Sequence, residues 1–291
     1  MFDINQLSIW IVTYNRPDAL NQAISDFLES TPENVPINVI SNHSKLNLFK
    51  DYGSRVRVWM NNLRSDESWG YLSRNWNQCF YLGLRDYEWI LCSQDDVRVK
   101  KGWIELIQQN PHYDFYTASY FDVVFMLNQS AFKKIGWFDE RFIVMDYHDN
   151  DYLRRAYQKL GREKICAEDK HGWMLNGKFT GFINPINLSK YWIHSPEEGY
   201  KQPDDHPRGR GKEVIHNRAN TNFLYEKWGA IIKINHQELN LKQRIPDIDW
   251  YPWFTKYIFE KTGESYPEEK YLKEKKTVFF DSLLIKLKNK F

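Results

Sequence analysis

Several things are scarce in this 291-residue chain, and each scarcity excludes a class of protein. Cysteine occurs three times, at Cys79, Cys92 and Cys166. The number is odd, no CxxC spacing is present, and each thiol lies among aromatic or aliphatic neighbours as small core residues do. A disulfide framework is thereby excluded, and a reducing cytosol is the expected setting. Glycine and proline are also few, at 14 and 11, which excludes collagen-like and low-complexity chains. Charge of one sign is lacking: 40 basic residues face 38 acidic ones, too even for a whole-chain nucleic-acid footprint. No run approaches the roughly 18 apolar residues of a spanning helix. The opening MFDINQL carries an early acid and no basic stretch before an apolar one, so a secretory signal is not expected. The expectation is a cytoplasmic protein, soluble or peripheral at the membrane face.

What the chain does have is apolar and aromatic mass. Hydrophobic residues make up 42% of it, and aromatics 16%, with 12 Trp, 18 Tyr and 18 Phe. Aromatic faces fill cores and also stack on sugar rings and bases, so composition alone does not separate the two uses. The length suits one large domain or one domain with an appendage, able to bury about three quarters of its unfolded surface.

Along the chain, short apolar runs alternate with helical spacing. Residues 7–12 (LSIWIV) predict a strand buried on both faces, followed at once by polar TYNRPD. Residues 18–28 show helical spacing through Leu20, Ala23, Ile24, Phe27 and Leu28. Strands are expected at 37–40, 56–60 and 89–92, with a helix over 72–84 between the last two. A short helix over 103–108 and a strand over 121–126 (FDVVFM) follow. Asp149 or Asn150 is positioned to cap a helix that runs through Leu153, Ala156, Tyr157 and Leu160 and stops at Gly161. Strands alternating with helices imply an α/β fold with a mainly parallel central sheet. Residues 195–213 pack Pro, Gly and charge without apolar period and read as a long loop. Order resumes near Asn220–Gly229. The expected division is a catalytic domain over 1–232 and a C-terminal helical extension over 233–291.

In open α/β sheets ligands bind beyond the carboxyl ends of the strands, so TYNRP, SNHS and SQDD are the segments to inspect. Asp95 and Asp96 follow a buried strand directly. Adjacent acids there repel one another unless a cation lies between them, and a hard divalent ion such as Mg²⁺ or Mn²⁺ would relieve this; a solvated turn is the alternative. A second acidic concentration, Asp139, Glu140, Asp146, Asp149 and Asp151, surrounds the start of a helix. A carboxylate there can act as general base toward a hydroxyl, or merely cap the helix.

In order along the chain, these segments resemble the GT-A glycosyltransferases, in particular the family-2-type inverting group that uses nucleotide-diphosphate sugars. The resemblance spans residues 5 to about 195. Thr13, Tyr14, Asn15 and Arg16 match a Thr-Tyr-Asn-Arg-Pro turn that lines the nucleotide pocket. INVISNHS takes the place of a strand ending in Asp-Asn-Gly-Ser, with Ser41 and Asn42 where an acid usually faces uracil, which leaves the base open. Gly70, Arg74 and Asn75 match a Gly and Ala-Arg-Asn segment. SQDD stands at the Asp-X-Asp metal motif, with Gln94 replacing its first acid. GWFDERF and HDND resemble the Gly-Phe-Asp-Glu and Glu-Asp-X-Asp blocks, with His148 in place of Glu and one extra residue between the blocks.

The resemblance implies a GT-A, Rossmann-like fold and a metal-dependent transfer of a sugar, with a UDP-sugar the expected donor, to a hydroxyl of a glycan or glycolipid acceptor. It implies Asp96 and His194 as ligands of Mn²⁺ or Mg²⁺, and Gln94 or Asp95 as ribose or sugar contacts. Arg74 becomes a cationic contact to phosphate, and Asp149 the general base of an inverting attack. The segment 195–213, long, polar and poor in core residues, reads as a lid over donor and acceptor or as a disordered insertion. Phe279, Leu283, Leu287 and Phe291 recur every four residues among lysines, as in a basic amphipathic helix that docks on protein or lies on an anionic membrane. No nucleic-acid partner is expected, because the basic cluster is short and its aromatics fall on the apolar stripe. Two alternatives stay open: a retaining GT-A transferase, and a noncatalytic sugar- or nucleotide-binding module.

Overall fold

The computed structural model describes residues 2–42, 48, 51–60, 72–118, 123–142, 147–167, 174–175, 178–179, 186–195, 212–229 and 242–247. Its centre is a seven-stranded sheet, built in chain order from β1 (Leu7–Thr13), β2 (Ile37–Ser41), β3 (Val56–Met60), β4 (Trp89–Gln94), β6 (Phe115–Ala118), β7 (Val124–Asn128) and β8 (Ile165–Ala167). The strands lie in the order β3-β2-β1-β4-β7-β6-β8. Only β7 runs against its neighbours, pairing antiparallel with β4 on one side and β6 on the other. Outside the sheet, β5 (Val97–Val99) pairs antiparallel with β11 (Trp192–His194), and β9 (Met174–Leu175) with β10 (Lys178–Phe179). This is the mainly parallel, helix-flanked sheet expected from the sequence.

Alternation along β1 explains the two layers. Leu7, Ile9 and Ile11 enter a core with α1 (Pro17–Ser30) and α3 (Trp103–Gln108), while Trp10 and Val12 enter a second core on the opposite face. That second core is closed by α2 (Leu72–Asp86), α4 (Gln129–Ile135) and α5 (His148–Leu160). Helix α2 lies close on the sheet at Gly83, where an added Cβ would come within 2.7 Å of both Ile90 Cδ1 and Trp10 Nε1. A larger residue there would force these core side chains to move.

Three expectations need correction. The strand expected over 121–126 begins at Val124 and runs to Asn128, because its ladder with β4 starts at the Ser93–Val124 pair; residues 121 and 122 lie outside the described residues. Helix α5 begins at His148, with Tyr147 as its N-cap residue, so Asp149 sits inside the first turn rather than capping it. Order returns at Lys212, not Asn220, as helix α6 (Lys212–Trp228). Residues 196–211 and the amphipathic segment 279–291 lie outside the described residues. Among the described residues no helix is long and apolar enough to cross a membrane. All three cysteines are buried as free thiols.

Candidate active site at the carboxyl edge of the sheet

Parallel pairing of β1 with β2 and β4 brings the ends of these strands to one edge of the sheet. Thr13 closes β1 there, and the chain turns through Asn15, which adopts φ 49°. Asparagine tolerates this left-handed geometry better than most residues. The turn delivers Arg16 to the start of α1, with Pro17 as the first helical residue. Across from it, β4 ends at Gln94 and Asp95 and Asp96 begin the turn into β5.

Asp95 is completely buried and held from two sides. The Thr13 hydroxyl donates to Oδ2 at 2.6 Å, Arg16 Nε donates to the same oxygen at 3.2 Å, and Arg16 Nη2 donates to Oδ1. Burial nonetheless dominates, and with Asp96 repulsion it pushes the Asp95 carboxyl up to about 6 although Arg16 and Thr13 oppose it. Asp96, 4% exposed, takes one contact from Arg16 Nη1 to Oδ2 at 3.3 Å. His194 Nε2 lies 3.6 Å from the same oxygen. Burial works to raise the Asp96 carboxyl as well, but His194 and Arg16 outweigh it and hold it below the ordinary carboxylate value.

His194 reaches this position because β11 is fixed on both sides. Trp192 is fully buried and packs on Trp103, with ring centroids 5.5 Å apart. Antiparallel pairing sets His194 opposite Val97, and the Ser195 amide donates to the Asp96 carbonyl at 2.9 Å. Strand β5 is held in turn by Asp26 of α1, which accepts from the Val99 amide at 3.0 Å and pairs with Arg98 at 3.2 Å. Gly102, at φ 101°, lets Tyr191 pass where a Cβ would lie 2.8 Å from its ring. Two residues far apart in the chain, expected from the sequence to share a metal, thus meet at one strand end.

The residues present fit a divalent cation. Asp96 Oδ1 is buried and, among the described residues, has no hydrogen-bond partner. A buried carboxylate oxygen left without a donor is costly, and a cation is the chemical complement it lacks. One carboxylate oxygen beside one imidazole nitrogen suits Mn²⁺, and the carboxylate alone suits Mg²⁺.

Asp149 comes to the same edge by topology. Strand β8 is parallel to β6, and both run with β4 because β7 is antiparallel to β6 and to β4. Helix α5 feeds β8 through a single turn over Arg162–Lys164, so it runs the opposite way and starts at the carboxyl edge. Tyr147, at φ 64°, turns the chain into that start. A tyrosine held in the left-handed region is strained, and such strain gathers at functional sites. The Asn150 amide donates to Asp149 Oδ1 at 3.3 Å, and Asp149 remains partly exposed.

The other candidate residues differ in burial and in the contacts that hold them. Arg74 is 1% exposed and its Nε stands 3.5 Å from Glu140 Oε2. Asn77 donates to Glu140 Oε1 at 2.9 Å and Ser73 to the Phe142 carbonyl at 3.3 Å, so the first turns of α2 anchor the 138–142 segment. Asn75 is equally buried, and neither polar atom of its side chain has a partner among the described residues. Ser41 and Asn42 are buried at the end of β2, where the Asn42 amide donates to the Thr13 carbonyl at 3.1 Å. Tyr14 and Gln94 are partly exposed on the same edge, and Gly70 lies outside the described residues.

Two acids from the sequence-derived group belong elsewhere. Carboxylate oxygens of Asp139, Asp151 and Asp247 lie within 4.8 Å of one another, an arrangement that could hold a metal by count. The Lys227 ammonium already fills it, at 2.8 Å from Asp139, 2.8 Å from Asp151 and 2.9 Å from Asp247. Arg141 pairs with Asp139 at 2.6 Å and Arg155 with Asp151 at 3.0 Å. Among the described residues, three acids thus face three bases. The Lys227 amine stays protonated despite its burial because Asp139 and Asp151 adjoin it, and Lys227 and Arg141 overcome burial to hold Asp139 below its ordinary value. Nothing local in the sequence marked Lys227. Its role emerges only where α6 and residues 242–247 pack on α5.

No family model matches this chain, and no curated protein does. Among solved structures it is similar to residues 1–349 of S. aureus TarS at 12% identity, over 75% of this chain and 70% of that one, with a TM-score of 0.42. Against a longer structure of S. aureus TarS the identity is again 12%, the shares are 75% and 43%, and the TM-score is 0.44. The mannosyltransferase PcManGT of Pyrobaculum calidifontis, in complex with GDP-Man and Mn²⁺, is 9% identical over 57% of this chain and 55% of that one, with a TM-score of 0.39.

Proposed function

We propose that this protein is a glycosyltransferase that moves a hexosyl or pentosyl group from a nucleotide-diphosphate donor, a UDP-sugar, to a hydroxyl of a glycan or glycolipid. The observation that carries this reading is the meeting of Arg16, Asp96 and His194 at the carboxyl edge of the sheet. That edge is where an open α/β fold takes its ligand, and the meeting offers a fixed cation beside two groups that would bind a divalent ion.

Asp96 and His194 would hold Mn²⁺ or Mg²⁺. A divalent ion, when bound, supplies neutralisation of the negative charge that builds on the diphosphate as it leaves. Arg16 offers its planar guanidinium to the same charge from the start of α1, with the amide ends of that helix behind it. Tyr14 and Gln94, partly exposed on this edge, would touch ribose or sugar. Asp149 is the base. The acceptor O–H proton passes to its carboxylate while the acceptor oxygen forms a bond to the anomeric carbon. The bond from that carbon to the phosphate oxygen breaks, and its electron pair leaves with the nucleoside diphosphate, inverting the anomeric centre. Contact with a membrane through residues 279–291 belongs to the same proposal for a glycolipid acceptor.

The test is Asp149→Asn with a nucleotide sugar that binds the unaltered protein. Transfer should fall on the order of 10²- to 10⁴-fold while donor affinity stays within about twofold, because the amide keeps the shape but cannot take a proton. Equal loss of donor affinity would contradict the base assignment. Donor binding without turnover in the unaltered protein, with Mn²⁺ present, would identify a binding module instead.

A further inference from the structure

Among the described residues the acid pair is neutralised by only half. There Asp95 and Asp96 face one fixed positive group, Arg16, whose side chain is 11% exposed and spans both carboxylates. Arg16 is locked on Asp95 through two nitrogens, with Thr13 closing the remaining side, but touches Asp96 through Nη1 alone at 3.3 Å. The oxygen it touches, Oδ2, is also the one 3.6 Å from His194, while Oδ1 is buried and has no partner among the described residues. A cation drawn to Asp96 therefore meets the guanidinium charge already at that carboxylate. Like charges at such range in a buried setting repel strongly.

From this we infer that Arg16 is a built-in counter-cation that keeps the acid pair together without a divalent ion and competes with that ion for Asp96, so that Arg16 sets the metal affinity of the site. The inference rests on the reading of Asp96 and His194 as the cation pair. Its consequence is a protein that folds and holds its site metal-free, and takes up metal weakly until the guanidinium turns from Asp96 toward another anion. A donor diphosphate is such an anion, since it offers Arg16 the paired oxygens a guanidinium fork prefers. Metal and donor would then bind cooperatively, each favouring the arrangement the other needs.

The experiment is a titration of the full chain with Mn²⁺ alone, free ion being read by its electron paramagnetic resonance signal. Arg16→Gln should bind Mn²⁺ on the order of tenfold more tightly than the unaltered protein. Asp96→Asn added to Arg16→Gln should abolish that gain. Arg16→Lys keeps the charge but lacks the fork that spans both acids; it should fall between the two and gives the same reading if Arg16→Gln does not fold. Mn²⁺ binding no tighter in a folded Arg16→Gln, or a gain that survives Asp96→Asn, would overturn the inference. Calorimetry with nucleotide sugars separates its fate from that of the transferase reading. If no nucleotide sugar binds, the transferase reading falls, whereas tighter Mn²⁺ binding by Arg16→Gln would stand on its own.

Discussion

One cluster of carboxylates lies at the end of β4 and another between α5 and α6, and among the described residues they differ in how their charge is closed. The group between the helices has more acids, Asp139, Asp151 and Asp247, yet each lies within 2.9 Å of the Lys227 ammonium, and Arg141 and Arg155 complete the balance. At the strand end two acids share Arg16, and Asp96 Oδ1 has no partner among the described residues. An acid count alone would place a metal in the first group. Charge balance favours the second, where the cation is proposed: a buried oxygen without a partner among the described residues, rather than density of acids, is what an added cation would satisfy.

The largest effect should come from opening the closed group. Lys227→Met leaves three acids, two of them buried, facing two bases and should destabilise the fold by about 3–5 kcal/mol in urea denaturation. A loss below about 1 kcal/mol would mean that solvent, and not Lys227, balances these acids. Next comes metal. With Mn²⁺ at about 100 times its dissociation constant, stability should rise by about 2.7 kcal/mol. Asp96→Asn should erase this increment and Asp139→Asn should keep it, even though Asp139→Asn itself lowers stability. The reverse assignment of the two variants would move the metal to the other group.

A smaller change probes the strand end alone. Thr13→Val preserves shape but removes the hydroxyl that donates to Asp95 Oδ2 at 2.6 Å, and should cost about 1.5 kcal/mol in the same denaturation assay. No measurable change would show that Arg16 suffices to hold Asp95. The subtlest contrast is in pH. The folded value of Asp95 is raised to about 6, above its unfolded value, so the folded state binds that proton more readily. Stability relative to Asp95→Asn should therefore grow as pH falls from 7 to 5. Asp139 is held below its ordinary value, so its contribution is intact throughout that window and is lost only at lower pH. A flat difference between the unaltered protein and Asp95→Asn from pH 7 to 5 would contradict the burial of Asp95.

Much of the fold was legible wherever one short stretch carries its own signal. The strand at Val56–Met60 and the helix at Trp103–Gln108 match their expected bounds, because apolar runs and helical spacing report directly on elements that bury a face. Strand β6 carries no such signal, because FYTA is four residues with a polar member, too short for a period. Helix α6 carries no such signal from Lys212 to Ala219, because apolar residues are sparse there and set out no stripe. In the site, Asp96 was legible as an acid beyond a strand. Its partnership with His194 depends on three-residue strands that no local pattern announces, and it came only from the family resemblance. Arg16 lies 79 positions from Asp95, and Lys227 lies 88 from Asp139. The roles of both cations depend on packing between such distant segments, which spacing along a chain does not encode.

The most direct test is anomalous diffraction from a crystal of the full chain grown with Mn²⁺ and a nucleotide sugar. The manganese peak should lie between Asp96 and His194, with the diphosphate beside Arg16 and the sugar turned toward Asp149. A peak among Asp139, Asp151 and Asp247, or a donor bound away from the carboxyl edge of the sheet, would contradict the account.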